Sequence, residues 1–442
     1  MPISGFPEWL PKVKLIEEWL IATITKVYQT HAFLKVETSS VEHFSTLEAN
    51  GVEGKEIYLL KRAQSSDDES SNETLALHFD LTVPFSRYVC ENLNNLHFPF
   101  RRYSLQKVWR GERPQRGRFR EFYQFDIDTV SRETLPLACD AETISVIYKA
   151  FEALSLFKFK LKLCNRKFLL GFYRSLELRT EDEPRILVII DKIDKIGASG
   201  VKDELLNLGL PQEKIDLILA FSAKRVSVRE FPKVSKEFAV SNELYQGGCS
   251  ELEQVTALID EALHENILID FSLVRGLSYY TGSILEVVLP DYPHFGSAGG
   301  GGRYEDLGSR FSSQKLPAVG ASIGITRLMA LILEENILTP VTGSVIEVLV
   351  TVNNEESRLK SNKVADKLRS SGVNCEVYFK APRLGAQIEY AEKRGIPFVL
   401  FLKEDEGGES YELKDLKSKE IIKLPDVAAG YAHIIAKREM VG

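Results

Sequence analysis

Cysteine and histidine are scarce in this chain of 442 residues, and what there is lies scattered. Cys90, Cys139, Cys164, Cys249 and Cys375 are odd in number and never spaced as CxxC. That excludes a zinc ribbon or a disulfide framework and reads as reduced, mostly buried thiols. The seven histidines contain no HExxH or comparable ligand pair, so no structural metal is expected and no side chain is assigned as a metal ligand. No apolar run approaches the ~18 residues of a membrane span. The opening text MPISGFPEWLPKVK has no signal-peptide core. Export and membrane insertion are therefore not expected, and a cytoplasmic location is.

What is present is ordinary globular composition, 44% hydrophobic and 27% charged, with a net charge of −7. The length predicts roughly two to four domains. An acidic balance argues against a general nucleic-acid coat, though not against a local basic patch that meets phosphates.

One stretch runs against that balance. Residues 101–120 hold eight Lys and Arg against one acid. They read as two strands joined by the polar turn GERPQRGR, and a guanidinium fork suits phosphate oxygens as lysine does not. Arg110, Arg113, Arg116, Arg118 and Arg120 are placed to clamp a triphosphate, a phosphodiester backbone, or both; a solvated turn would have the same composition. In the following REFYQFDIDTV, Gln124, Asp126 and Asp128 share one face of a strand while Tyr123, Phe125 and Ile127 share the other. Acids and an amide at every second position beside arginines suit a pocket for a small amine-bearing ligand next to phosphates.

Around this ribbon, residues 9–29 read as an amphipathic helix and FKFKLKLC at 157–164 as a half-buried strand. QSSDDESSNE at 64–73 reads as a surface loop. The text from 166 to 243 is helical and more polar, strands return at 271–290, and 336–344 reads as a linker. Beyond it strand and helix alternate in a small α/β domain with a mixed sheet; the larger part before it is α+β.

Three further patterns carry candidate chemistry. In FSLVRGLSYYTGSILEVVL, Arg275 lies in apolar text and would be costly to bury unpaired. Either it neutralises Glu286 or it faces a phosphate. GSAGGGGRYEDLG is neither a P-loop nor GxGxxG; it is a flexible turn, or a place where backbone approaches a ligand beside Arg303 and Tyr304. GASIGITRLM is a small-residue strand entering a helix that carries Arg327.

The order of these patterns resembles the histidyl-tRNA synthetases, a branch of the class II aminoacyl-tRNA synthetases. The resemblance runs from GFPEWLP through LHFDLTVPFSRYV, VWRGERPQRGRFREFYQF, DKIDKIG, RGLSYYTGSILEV and SAGGGGRYEDL to QIEYAEKRGIP. It implies an α+β class II catalytic domain over 1–335, an antiparallel sheet flanked by helices, with a helical insertion at 166–243. A linker at 336–344 would lead to an α/β anticodon-binding domain at 345–442, whose 16 basic and 16 acidic residues from 344 onward would not alone have suggested RNA. The implied reaction is ATP-dependent ligation of L-histidine to tRNA(His) through a histidyl adenylate, with Mg²⁺ on the phosphates, by a homodimer.

Residue by residue, the resemblance gives Arg110 and Arg275 the α-phosphate, Glu112 the adenine, Arg118 the β- and γ-phosphates and Arg327 the γ-phosphate. It gives Asp80, Thr82 and Gln124 the α-amino group of histidine, and Asp128 and Tyr280 the imidazole, with Tyr304 lining the pocket and Tyr279 among the histidine-binding residues. Arg113, Gln115 and Arg116 would approach the tRNA acceptor end. The chain departs from the family pattern at His78, where Arg is usual, at Ser278 in RGLSYY, where Asp is usual, and at Ser39, where motif 1 carries a proline. Losing one positive and one negative charge together reads as a single compensated change. The silent alternative is a paralogue such as the regulatory subunit of ATP phosphoribosyltransferase; these generally lack the anticodon-binding domain. A pseudo-synthetase within a kinase ranks last, since no HRD or DFG text is present.

Overall fold

The computed structural model describes residues 3–48, 56–61, 63, 74–274, 280–305, 307–338, 345–405 and 408–439. Two compact units emerge, one over Met1–Leu10 and Lys14–Leu338 and one over Pro11–Val13 and Thr339–Gly442.

The larger unit is organised by a nine-stranded sheet. Its order is Leu34–Lys35, Phe100–Trp109, Glu121–Val130, Ala318–Gly324, Gly299–Tyr304, Tyr280–Val288, Lys160–Asn165, Ile267–Asp270 and Arg225–Ser227. The central pairings are antiparallel, as expected. Two are parallel: Leu34–Lys35 with Phe100–Trp109, and Lys160–Asn165 with Ile267–Asp270. A parallel pair needs a long crossover, and for the second pair that crossover is the mostly helical stretch from Arg166 to Asn266.

The alternation in the ribbon decides which way each side chain points. Phe125 and Ile127 are fully buried on one face, where Tyr28 of the helix Pro11–Thr30 meets Phe125 edge-on at 4.9 Å. That helix starts on a proline, whose missing N–H is no loss in a first turn. It buries Ile16, Leu20 and Ile24 on the same side. The opposite face of the ribbon is left for polar groups.

The 166–243 region, expected to be helical, holds the helices Arg166–Ser175, Glu183–Ile190, Ile193–Asn207 and Gln212–Ser222. It also contains the strand Arg225–Ser227, which joins the edge of the main sheet. An aromatic cluster closes it, with Phe172 stacked on Phe221 at 3.7 Å and Phe168 against Tyr245 and Phe271 at 4.9 and 4.8 Å. Of the strands expected over 271–290, Tyr280–Val288 lies within that range, while Ile267–Asp270 ends before it at a turn that follows Asp270.

The smaller unit has a mixed five-stranded sheet in the order Cys375–Val377, Val348–Val350, Phe398–Asp405, Gly408–Asp415 and Ile421–Leu424. The first three strands are parallel and the last two pair antiparallel. Val364, Ala365 and Leu368 of the helix Arg358–Ser370 pack on Val348 and Val350.

Candidate active site

The two ribbon strands pair over their whole length, from Phe100 with Val130 to Trp109 with Glu121. Their connection is pinned at three points. Arg110 N–H donates to Arg120 O at 2.9 Å, and Gly111 N–H to Glu56 O at 2.7 Å. Arg327 donates from Nε to Gly117 O at 3.0 Å and from Nη1 to Ser297 O. Gly117 has φ +66°, a left-handed conformation natural to glycine.

The ribbon forms one wall of a cleft of about 290 Å³. Arg110, Glu112, Arg118 and Arg327 line it together with Asp80, Thr82, Gln124, Asp128, Tyr280 and Tyr304. The ten residues just named, each given a role by the family resemblance, thus meet in one cavity. Arg275, Ser278 and Tyr279 lie outside the described residues, and with them the choice between Glu286 and a phosphate as partner of Arg275. Glu286 itself lines the cleft. Arg113, Gln115 and Arg116 are exposed on the turn, away from the cavity lining. Arg116 bonds Glu334 and, at 3.2 Å, Glu335, with Phe295 beneath its guanidinium.

The cleft is electrically polar along its length. At one end Arg110 lies over the rings of Phe79 and Phe122, at 4.4 and 5.2 Å, and donates from Nε to Phe79 O at 3.3 Å. Arg118 approaches Glu112 at 3.4 Å. At the other end Asp80, Asp126 and Asp128 line the same space. Asp80 Oδ1 accepts from Val83 N–H at 3.1 Å, fixing the start of the helix Thr82–Glu91. Gln124 donates from Nε2 to Ser322 Oγ at 3.1 Å. Burial pushes the carboxyl of Asp126 up to about 7, and that of Asp128 up to about 6, with Arg102 pulling each partly back.

Beneath this acidic end sits Arg102, 2% exposed, which sequence reading did not separate from its neighbours. Its Nη2 lies 2.7 Å from Asp128 Oδ2 and donates to Leu81 O at 3.1 Å. Phe85 packs under its guanidinium at 4.3 Å. Asp128 Oδ1 accepts from the Tyr304 hydroxyl at 2.8 Å, and burial first, then Asp128, raises that tyrosine's pKa well above its usual value. Asp126, which the sequence marked as facing the same way as Gln124 and Asp128, also lines the cleft, as do Phe122 and Glu286.

The glycine run is a central strand, Gly299–Tyr304, and not a flexible turn. Without side chains on Gly299, Gly300 and Gly301, the backbone itself is cleft floor. The two residues after the run part company. Tyr304 faces the cleft, whereas Arg303 turns to Asp140 on the helix Ala138–Leu154, at 2.5 Å. On the next strand, a Cβ on Gly320 would overlap Asp128 Oδ1 and crowd Ile127 O. Gly320→Ala is accordingly expected to raise KM for the ligand held at the acidic end by about 10-fold or more, an overpacking effect, with the arginine end unaffected. Separate KM values for the two substrates check this.

The two departures that fall within described residues find local partners. His78 is fully buried, donates from Nε2 to Lys107 O at 2.6 Å and lies 5.5 Å from the Trp109 ring. Burial lowers its pKa, so a neutral imidazole stands where the family usually has a cation. Ser39 is exposed, its Oγ donating to Val41 O at 2.8 Å.

Comparison with known proteins accounts for both units. The family model described as histidyl-tRNA synthetase matches residues 5–328, and the anticodon binding domain model matches residues 347–428. The chain is 40% identical over 420 residues to the histidine–tRNA ligase of Thermobifida fusca (strain YX), covering 95% of each. It is 39% identical over 426 residues to that of Cutibacterium acnes, covering 94% of this chain and 93% of the relative. The crystal structure of histidyl-tRNA synthetase from Nostoc sp. PCC 7120 superposes with a TM-score of 0.85 at 35% identity, over 99% of both chains. A Bacillus halodurans structure titled ATP phosphoribosyltransferase regulatory subunit/histidyl-tRNA synthetase shares the fold at 18% identity, TM-score 0.73, over 91% of this chain and 97% of that one. With a model spanning most of its length and close relatives over nearly all of it, the chain belongs to the histidyl-tRNA synthetase family, class II, with an anticodon-binding domain.

Proposed function

We propose that the cleft joins L-histidine to ATP as histidyl adenylate and passes the histidyl group to tRNA(His), making the chain a histidine–tRNA ligase. The observation that carries this is the polarity of one cavity: arginines at one end, buried carboxylates at the other, glycine backbone between. A triphosphate needs the first, the ammonium and imidazole of histidine need the second, and the reacting carboxylate then lies between them.

In this reading Asp80, Thr82 and Gln124 hold the α-amino group. The end formed by Asp126, Asp128, Tyr280 and Tyr304 takes the imidazole, and Tyr279 belongs to the same pocket. A histidine carboxylate oxygen attacks the α-phosphorus, the bond to pyrophosphate breaks, and charge on the non-bridging oxygens is met by Arg110 and Arg275. Such donors act because they are already oriented. Glu112 lies by the adenine, Arg118 on the β- and γ-phosphates and Arg327 on the γ-phosphate. Among the described residues no three acidic, histidine or cysteine side chains converge as a metal cage. Mg²⁺ would come on the triphosphate, held mainly by phosphate oxygens and water, a coordination that this ion takes with few protein ligands. When bound it neutralises charge on the departing pyrophosphate.

The ribbon's surplus arginines serve the second step. Arg113, Gln115 and Arg116 at the exposed turn approach the acceptor end of tRNA, so triphosphate and nucleic acid are met by one hairpin. The catalytic domain is taken as residues 1–335 with its 166–243 insertion, the linker as 336–344 and the anticodon-binding domain as 345–442. No described helix is long and apolar enough to cross a membrane, and we assign the reaction to the cytoplasm.

ATP–pyrophosphate exchange with each of the twenty amino acids tests the reading. Exchange with histidine alone supports it; no exchange with any, from folded protein, moves the chain to the silent relatives. A two-fold dimer is expected from class II membership. Sedimentation at micromolar concentration as a monomer would count against it, Ser39 making this a fair trial of the interface.

A further inference from the structure

We propose that Gly5 and Trp9, on the segment ahead of the helix Pro11–Thr30, are positioning residues for ATP. They hold the connection of the ribbon so that Arg110, Arg118 and Phe119 keep their places on the cleft wall. The proposal rests on the ligase reading, in which the arginine end of the cleft takes the triphosphate.

The regular ladder of the ribbon stops at Trp109 with Glu121. Arg110, Glu112, Gly117, Arg118 and Phe119 line the cleft beyond that point. The sheet therefore does not set their register. At its tip the connection closes on itself through Gln115 and Arg118, whose N–H and C=O groups bond each other at 3.1 and 2.8 Å. Between tip and ladder, the stems are joined by the bond from Arg110 N–H to Arg120 O.

Residues 3–10 supply what the sheet does not. Gly5 O accepts from Arg120 N–H at 2.8 Å and from Glu121 N–H at 3.1 Å. The peptide between Arg120 and Glu121 is thus held from both sides. Its N–H goes to Gly5, and its C=O takes the N–H of Arg110. Trp9 meets Phe119 edge-on at 6.3 Å, and Phe6 meets Tyr58 in the same way at 6.2 Å. Tyr58 lies two residues after Glu56, whose O holds Gly111 N–H. Both stems are gripped by residues that do not line the cleft.

Arg120 belongs to this clamp, although the sequence grouped it with the arginines open to a phosphate. It is outside the cleft lining, its Nε donates to Glu112 O at 3.2 Å, and its side-chain carbons crowd Gly5. Gly5 itself has φ +85°, and a Cβ on it would lie 2.9 Å from Pro114 Cγ and 3.0 Å from Arg120 Cγ. The left-handed backbone and the close approach both call for glycine. A segment that merely covered the ribbon would need neither.

Gly5→Ala and Trp9→Ala loosen the clamp without replacing a residue that lines the cleft. In ATP–pyrophosphate exchange each is expected to raise KM for ATP about 10-fold, within the usual range of coupling between two sites. KM for histidine should stay within about twofold. Trp9→Phe keeps the edge contact and should hold KM for ATP within about twofold of wild type. A purely structural loss would shrink the folded fraction, lowering kcat and leaving both KM values as they were. An unchanged KM for ATP in Gly5→Ala and Trp9→Ala, or equal rises for both substrates, overturns the proposal. A second measurement needs no variant. Because linkage is reciprocal, saturating ATP should slow hydrogen exchange of the Arg120 and Glu121 amides by about 10-fold in the wild type; unchanged rates there overturn it as well. Absence of histidine-dependent pyrophosphate exchange in the wild type would instead defeat the ligase reading.

Discussion

Arg110→Ala is expected to slow histidyl-adenylate formation by about 10²–10³-fold, the usual loss for one preorganised donor at a developing charge. The guanidinium lies over Phe79 and Phe122 and is tethered through Nε to Phe79 O. Its plane is fixed before substrate arrives, and the remaining N–H groups are left for the phosphate. Lysine at this position should recover little, because the planar fork and its stacking are what the two rings select. Rapid-quench single-turnover rates with saturating ATP and histidine are the measurement. Since Arg110 sits on the cleft wall, the melting temperature should hold. An unchanged single-turnover rate would remove Arg110 from the chemistry, and a parallel loss of fold would reduce it to a structural role.

Asp140→Ala is expected to produce the largest loss of stability, about 3–5 kcal/mol in the catalytic unit, the range for breaking a buried ion pair on one side only. Asp140 is fully buried, and Arg303 reaches it through Nε at 3.2 Å and Nη2 at 2.5 Å. Arg303 also donates to the carbonyls of Leu135 and Pro136. Removing the carboxylate strands a guanidinium under the sheet, with the partly exposed Glu305 at 3.9 Å too loosely placed to compensate. Replacing both partners by apolar residues, Asp140→Leu with Arg303→Met, should recover much of the loss, since neither charge then remains buried. Urea unfolding followed by a probe confined to the catalytic unit separates this from the anticodon-binding unit. A loss below about 1 kcal/mol would mean that water reaches Arg303 and the pair is not a buried anchor.

These two arginines show how far sequence reading reaches. Arg110 was legible because a period-two strand beside a turn gives each side chain a face, and the same alternation separated Gln124, Asp126 and Asp128 from Phe125 and Ile127. Arg102 has the same local text as its neighbours, and only its pairing opposite Asp128 distinguishes it. Arg303 and Tyr304 are adjacent and stood together in the sequence, yet strand alternation sends one to a structural carboxylate and the other to the cleft. The glycine run carries no periodicity, so nothing local marked it as the middle of a sheet. The parallel pairing of Lys160–Asn165 with Ile267–Asp270 joins segments about a hundred residues apart, a separation at which composition says little. Family resemblance supplied the grouping of these motifs. It could not say that Asp128 already meets both Arg102 and Tyr304.

The floor of the cleft has one more consequence. Gly299, Gly300 and Gly301 make room by having nothing to contribute, so a substitution at any of these three adds atoms beside the cavity and none removes any. Variation there can only tighten the choice of amino acid. A broader choice has to come from the walls, where Tyr280, Tyr304 and Phe122 have bulk to lose. The evolvability of this pocket is therefore one-directional at its base, and a search for altered amino-acid preference should begin with its aromatic sides.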